Sequence, residues 1–141
     1  MLRGIPANLS PDLVKALMEL GHGDEILLAD ANYPVGGRGG VILRADGLGV
    51  EELLTSILTL LPLDHYSQAQ WGLMQTVGDD PTPPIWASYE QIVTAADPQA
   101  HCEHIERFAF YERARGAALT VVTGETALYG NVLLRKGVVV L

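Results

Sequence analysis

Short, mostly apolar runs alternate along this chain with longer stretches in which apolar residues recur every third or fourth position. The first pattern reads as buried strand and the second as amphipathic helix. Ser10-Pro11 supplies a helix cap and a first-turn proline, and Leu13, Val14, Leu17 and Met18 then share one face, predicting a helix over 11–20 ended by Gly21. Val50, Leu53, Leu54, Ile57, Leu58 and Leu61 mark a second helix, stopped by Pro62. Ile85, Trp86, Tyr89, Ile92, Val93 and Ala96 mark a third, and 108–115 a fourth. Strands are predicted at 25–29, 41–43, 71–77, 103–106, 118–124, 131–134 and 137–141, with Lys136-Gly137 as a turn between the last two. Strands interleaved with helices predict an α/β fold: a single layered domain over residues 1–141, with a mixed sheet flanked by helices.

Charge narrows the partners. Nine Lys and Arg against 17 Asp and Glu give a net charge of −8. Such a surface repels phosphate backbones and anionic lipid, which argues against nucleic acid and membrane as partners. A neutral small molecule is compatible with it, as is another protein. Cys102 is the lone cysteine, so no disulfide can form within the chain. The first residues, MLRGIPANLSPDL, are interrupted by polar residues and proline, unlike a secretory signal, and no apolar stretch approaches the ~18 residues of a membrane helix. A cytoplasmic protein is the expectation.

Several segments carry chemistry worth weighing. In Gly21-His22-Gly23-Asp24 two glycines flank an imidazole, the one side chain whose ordinary pKa, about 6.5, permits both acid and base roles near neutrality. The same segment also reads as a helix end with a surface histidine. Asp30 follows a strand and opens the loop DANYPVGGRGG, a position where open α/β sheets place ligands; a loop-capping aspartate is the plainer reading. His101-Cys102-Glu103-His104 holds three metal-ligating residue types, but adjacent positions do not give the spaced pairs of a zinc site, so no metal is assigned. GGRGG at 36–40 lacks the ending of a phosphate-binding loop and reads as flexible. Arg107 stands at a strand–helix junction, suited to donating to ligand oxygens, and Tyr129-Gly130-Asn131 combines a hydroxyl, an unencumbered backbone and an amide, a set that suits sugar hydroxyls or an ordinary turn. There is no nucleophile elbow and no convincing Cys–His nucleophile pair.

Longer segments say more. LSPDLVKALMELGHGDEILLADANYP, RADGL at 44–48, RFAFYERAR at 107–115, and TGETALYGN followed by LLRKGV occur in this order. Through them the chain resembles the L-fucose mutarotase/D-ribose pyranase family over nearly its whole length, and the segment at 107–115 is closest to the mutarotase branch. The resemblance implies interconversion of the α and β anomers of L-fucose, with D-ribose pyranase activity and non-catalytic sugar binding as the alternatives. It assigns His22 as the acid/base residue, and Asp30, Arg107, Tyr129, Gly130 and Asn131 as sugar-binding. It implies no cofactor, a monosaccharide ligand and a ring-like homo-oligomer, often decameric. The GGRGG loop and the tail VVVL depart from the family pattern.

Geometry adds one constraint. If 25–29 is a single strand, His22 and Asp30 lie beyond its two ends, up to ~26 Å apart. One sugar does not span that distance, so a site shared between neighbouring subunits is expected.

Overall fold

The computed structural model describes all 141 residues. Helix α1 (Pro11–Glu19) leads into strand β1 (Glu25–Ala29) and strand β2 (Val41–Ala45). Helix α2 (Val50–Leu58), strand β3 (Trp71–Met74) and helix α3 (Ile85–Ala96) follow, then strand β4 (Cys102–Ile105), helix α4 (Arg107–Arg115), strand β5 (Leu119–Thr123) and strand β6 (Val132–Arg135). The predicted α/β layering and mixed sheet are present, with strand order β2-β5-β1-β6-β3-β4. All pairings are parallel except the two made by β6, which runs against β1 and β3.

Alternation within β1 divides the core into two layers. Ile26 and Leu28 pack with Leu13, Leu53, Leu54, Ile57, Tyr89 and Val93, so α1, α2 and α3 cover one face. Leu27 and Ala29 point the other way, against Phe110 and Ala114 of α4. All four β1 side chains are fully buried, which is why the run EILLA shows no polar alternation.

Local chemistry sets the helix ends. The Ser10 hydroxyl accepts from the Leu13 amide at 3.1 Å and starts α1. Leu20, in an extended conformation, caps its other end, one residue before Gly21. The Glu52 carboxylate reaches back to the Gly49 amide at 3.1 Å and starts α2.

Three expectations are corrected. Met18 was placed on the apolar face of α1, yet it is 81% exposed; Ala16, with Leu13 and Leu17, fills the buried stripe instead. The run 71–77 is strand only to Met74: beyond it the Gln75 amide still bonds to Ile105, but Val77 turns out to the surface. The tail 137–141 forms no strand. Lys136 makes one antiparallel bridge to Leu63, the Gly137 amide donates to the Pro62 carbonyl at 2.7 Å, and Val138–Leu141 then run exposed with no strand beside them. β-Branched composition alone does not make a strand without a neighbour to pair with. Lys136-Gly137 is accordingly a bridge and not a hairpin turn.

Candidate functional site

Because five strands run parallel, the sheet has two distinct edges. One edge collects the ends of β1, β3, β4 and β5 and the start of the antiparallel β6. The other collects their beginnings and the end of β6. The six residues singled out by sequence divide between these edges.

At the first edge, Asp30 leaves β1 and Asn131 enters β6. The two are joined reciprocally: the Asp30 amide donates to Asn131 Oδ1 at 2.8 Å, and Asn131 Nδ2 donates to Asp30 Oδ2 at 2.9 Å. The Asn32 amide donates to Asp30 Oδ1 at 2.9 Å. Burial raises the Asp30 carboxyl above its usual range and the nearby Glu125 charge adds to this, against the lowering effect of the Asn32 and Asn131 bonds.

Tyr129 and Gly130 lie directly before Asn131. Tyr129 adopts φ +55°, the left-handed region that side chains other than glycine rarely occupy. Two helix α3 side chains hold this backbone: Trp86 Nε1 donates to the Tyr129 carbonyl at 2.9 Å, and the Tyr89 hydroxyl to the Gly130 carbonyl at 2.8 Å. A Cβ at Gly130 would stand 2.9 Å from the Ala127 carbonyl oxygen and 3.0 Å from Glu125 Cγ, so close packing requires the glycine. The Tyr129 phenol donates to Asp80 and accepts from the Val77 amide, tying down the 77–80 loop. Arg107 opens α4 at the end of β4, its guanidinium 4.6 Å from the Phe108 ring centroid. The structure therefore brings Asp30, Asn131, Gly130, Tyr129 and Arg107 to one edge.

In the GGRGG loop beside this edge the arginine side chain makes the contacts. Arg38 Nε donates to the Pro34 carbonyl at 2.6 Å, Nη1 to the Tyr111 carbonyl at 3.4 Å, and the guanidinium lies 4.8 Å from the Tyr33 ring centroid. Loop and α4 together border a cavity of about 480 Å³. Burial pushes the Tyr33 phenol up to about 12, and its hydroxyl has no hydrogen-bond partner in the chain.

His22 sits at the opposite edge, as the eight-residue spacing predicted. The segment around it is fixed by the Gly21 amide, which donates to Asp24 Oδ2 at 2.7 Å, and the Gly23 amide, which donates to the Lys136 carbonyl at 2.8 Å. Gly23 takes φ +84°, so the second glycine is a conformational requirement. The imidazole is about half exposed, and its Nε2 lies 2.9 Å from Oδ1 of Asp64, whose side chain is only 4% exposed. The Tyr66 ring stands 5.4 Å from the imidazole.

Asp64 is the residue that sequence reading missed. It accepts from His22, from the Ser67 hydroxyl at 2.7 Å and from the Tyr66 amide at 3.0 Å. Burial acts to raise this carboxyl, but the Ser67, His22 and Tyr66 bonds together outweigh it and hold it below the ordinary carboxylate range. An ionised carboxylate only accepts. A neutral His22 can bond to this carboxylate only by donating from Nε2, the arrangement in which Nδ1, which has no partner in the chain, holds the lone pair. The only sequence signal for Asp64 is an aspartate with a serine three residues on, which also describes any turn.

The remaining candidates resolve as structure. Glu103 pairs with Arg113, and His104 turns the other way to meet the Trp86 ring at 5.1 Å. Burial pushes the Cys102 thiol up to about 12, far from a reactive thiolate.

Comparison with known proteins agrees over the whole length. A sequence profile of the RbsD / FucU transport protein family matches residues 3–139. The fucose mutarotase of Homo sapiens is 49% identical over 99% of this chain and 96% of its own. The L-fucose mutarotase of Histophilus somni (strain 2336) is 45% identical over 98% and 97%. The crystal structure of the fucose mutarotase from Streptococcus pneumoniae in complex with L-fucose superposes with a TM-score of 0.93 at 47% identity, covering 99% of this chain and 100% of that one. The chain belongs to the RbsD / FucU family.

Proposed function

We propose that this chain is an L-fucose mutarotase and that His22 is its acid/base residue. The observation that carries the reading is the His22–Asp64 pair: a half-exposed imidazole, oriented by a buried carboxylate, with its second nitrogen free. That is the equipment of a proton-transfer catalyst, and full-length likeness to fucose mutarotases supplies the substrate.

The chemistry asks for little else. Nδ1 of His22 takes the proton from the anomeric hydroxyl. The oxygen's electron pair forms the carbonyl, the bond from the anomeric carbon to the ring oxygen breaks, and the ring oxygen takes a proton from the imidazolium that His22 has become, which returns the imidazole to its neutral form. Rotation of the aldehyde and the reverse steps give the other anomer. Electrons stay with sugar atoms throughout, so the reaction calls for no redox cofactor. General acid–base transfer of this kind supplies ~10²–10⁴-fold, or ~3–5 kcal/mol of barrier.

In this reading Asp30, Arg107, Tyr129, Gly130 and Asn131 bind the sugar. They stand at the edge opposite His22, so the pocket is completed between copies: the His22 edge of one chain faces the Asp30 edge of the next. A homodecamer is the proposed assembly and the cytoplasm the proposed compartment. No helix is long and apolar enough to cross a membrane.

Saturation-transfer NMR on fucose, ribose and galactose, comparing the wild type with His22→Ala, tests the proposal. Accelerated exchange between fucose anomers, lost in His22→Ala, is expected. Exchange accelerated by neither protein would sink the enzyme reading, equal acceleration by both would overturn the role of His22, and faster ribopyranose–furanose exchange than fucose exchange would replace the reading with a ribose pyranase.

A further inference from the structure

Behind Asp64 the hydrogen bonds continue in one direction. Ser67 Oγ donates to Asp64 Oδ2 at 2.7 Å and itself accepts from Arg135 Nη1 at 2.9 Å. Arg135, the last residue of β6, is held in turn by Glu25 at the start of β1: its Nη2 donates to Glu25 Oε1 at 3.3 Å. Arg113 grips the same carboxylate through Nε at 3.1 Å and Nη2 at 2.9 Å. The arrangement has a cost, since Arg135 Nε is buried with no partner.

The direction of this chain follows from what each group can do. A serine hydroxyl has one proton and accepts as readily as it donates, whereas a guanidinium only donates. With Arg135 donating to its oxygen, Ser67 sends its own proton to Asp64. That commits Oδ2 of Asp64 as an acceptor and leaves Oδ1 facing Nε2 of His22. Donation from a cation also polarises the hydroxyl it reaches, which strengthens the next bond along.

We infer that Ser67 and Arg135 are positioning residues that hold the Asp64 carboxylate turned toward Nε2 of His22, and through that carboxylate keep Nδ1 as the nitrogen that handles the sugar's proton. This rests on the mutarotase reading for its catalytic consequence, but the tautomer is a property of the free protein.

The test combines kinetics with nitrogen NMR on protein labelled at histidine, four residues in all, with His22 assigned by its loss in His22→Ala. The wild type is expected to show His22 protonated at Nε2. Ser67→Ala releases Oδ2, lets the Asp64 carboxylate turn away from His22, and is thereby expected to admit the Nδ1-protonated form and to lower kcat for fucose anomer exchange by about two- to tenfold, the worth of one hydrogen bond, with KM unchanged. Ser67→Thr, which keeps the hydroxyl, should restore both. Arg135→Met should reproduce the Ser67→Ala tautomer shift without touching the serine. A wild-type ring already divided between tautomers overturns the inference, as does a Ser67→Ala protein that loses kcat while its tautomer stays fixed. A wild type that does not speed anomer exchange would overturn the mutarotase reading alone, since the nitrogen shifts decide the tautomer independently.

Discussion

Replacing Asn131 with alanine should cost both stability and sugar binding, by amounts its contacts allow to be worked out. Asn131 is 4% exposed and makes two bonds to Asp30, one to the backbone amide and one to the carboxylate. The first is an ordinary hydrogen bond of about 1 kcal/mol, and the second, to a charged group, is worth about 1.5–3 kcal/mol. Water reaching the half-buried Asp30 takes over part of the second, so a loss of about 2–3 kcal/mol at pH 7 is expected. For a chain of this length that lowers Tm by roughly 7–10 °C. The pH dependence follows from the bond's polarity. Asn131 stabilises the ionised form of Asp30, so its contribution is present above the pKa of that carboxyl and is lost as pH falls through it. Burial has already raised that pKa, so at about pH 3.5 the group is largely protonated and the charged share of the loss disappears. Urea unfolding of both proteins at the two pH values measures the difference, and anomer-exchange kinetics on the same samples should show a raised KM. An equal loss at both pH values, or less than about 1 kcal/mol at pH 7, would refute the assignment of the Asp30–Asn131 pair as a charge-assisted contact.

The other predictions concern the His22 edge. Gly137→Ala places a Cβ 2.2 Å from the Leu63 carbonyl oxygen and 3.0 Å from the Asp64 amide nitrogen, and backbone cannot swing aside; a loss of about 2 kcal/mol or more in urea unfolding is expected, with anomer exchange slowed because Asp64 moves. Asp64→Asn should flatten the acid limb of stability. The folded-state pKa of Asp64 is depressed, so its contribution is full above the unfolded value of about 3.9 and is lost as pH falls through the folded one; a plot of urea midpoint against pH should separate the two proteins above that range and bring them together below it.

What the sequence showed follows what is local. Strand β1 and helix α3 end where their runs of residues say, because burial on both faces of Leu27–Leu28 and the helical spacing of Tyr89 and Val93 are local patterns. The placement of His22 and Asp30 beyond the two ends of β1 was legible for the same reason. Asp64 was not: it meets His22 across 42 residues, and it does so because Lys136 and Gly137 bridge to Leu63 and Pro62, a contact no sequence period encodes. The valines of the tail failed in the opposite sense. Their composition favours a strand, yet pairing needs a neighbour and the sheet ends elsewhere. Ser67 and Arg135 were invisible singly and acquire meaning only as links between Glu25 and Asp64.

The reversed direction of β6 ties the two edges of the sheet to one short element. This strand is four residues long, and its flanks are Asn131 on one side and Arg135, its own last residue, on the other. One contributes to the sugar-holding edge, the other to the support of His22. Where pockets form between copies, those two edges of a chain serve different sugar molecules. β6 is then a short stiff rod with one end in each, locked between β1 and β3 by antiparallel bonds on both sides. The rod fixes the spacing between the two edges, so the residue that meets Asp30 and the arginine behind Ser67 are set by a single element.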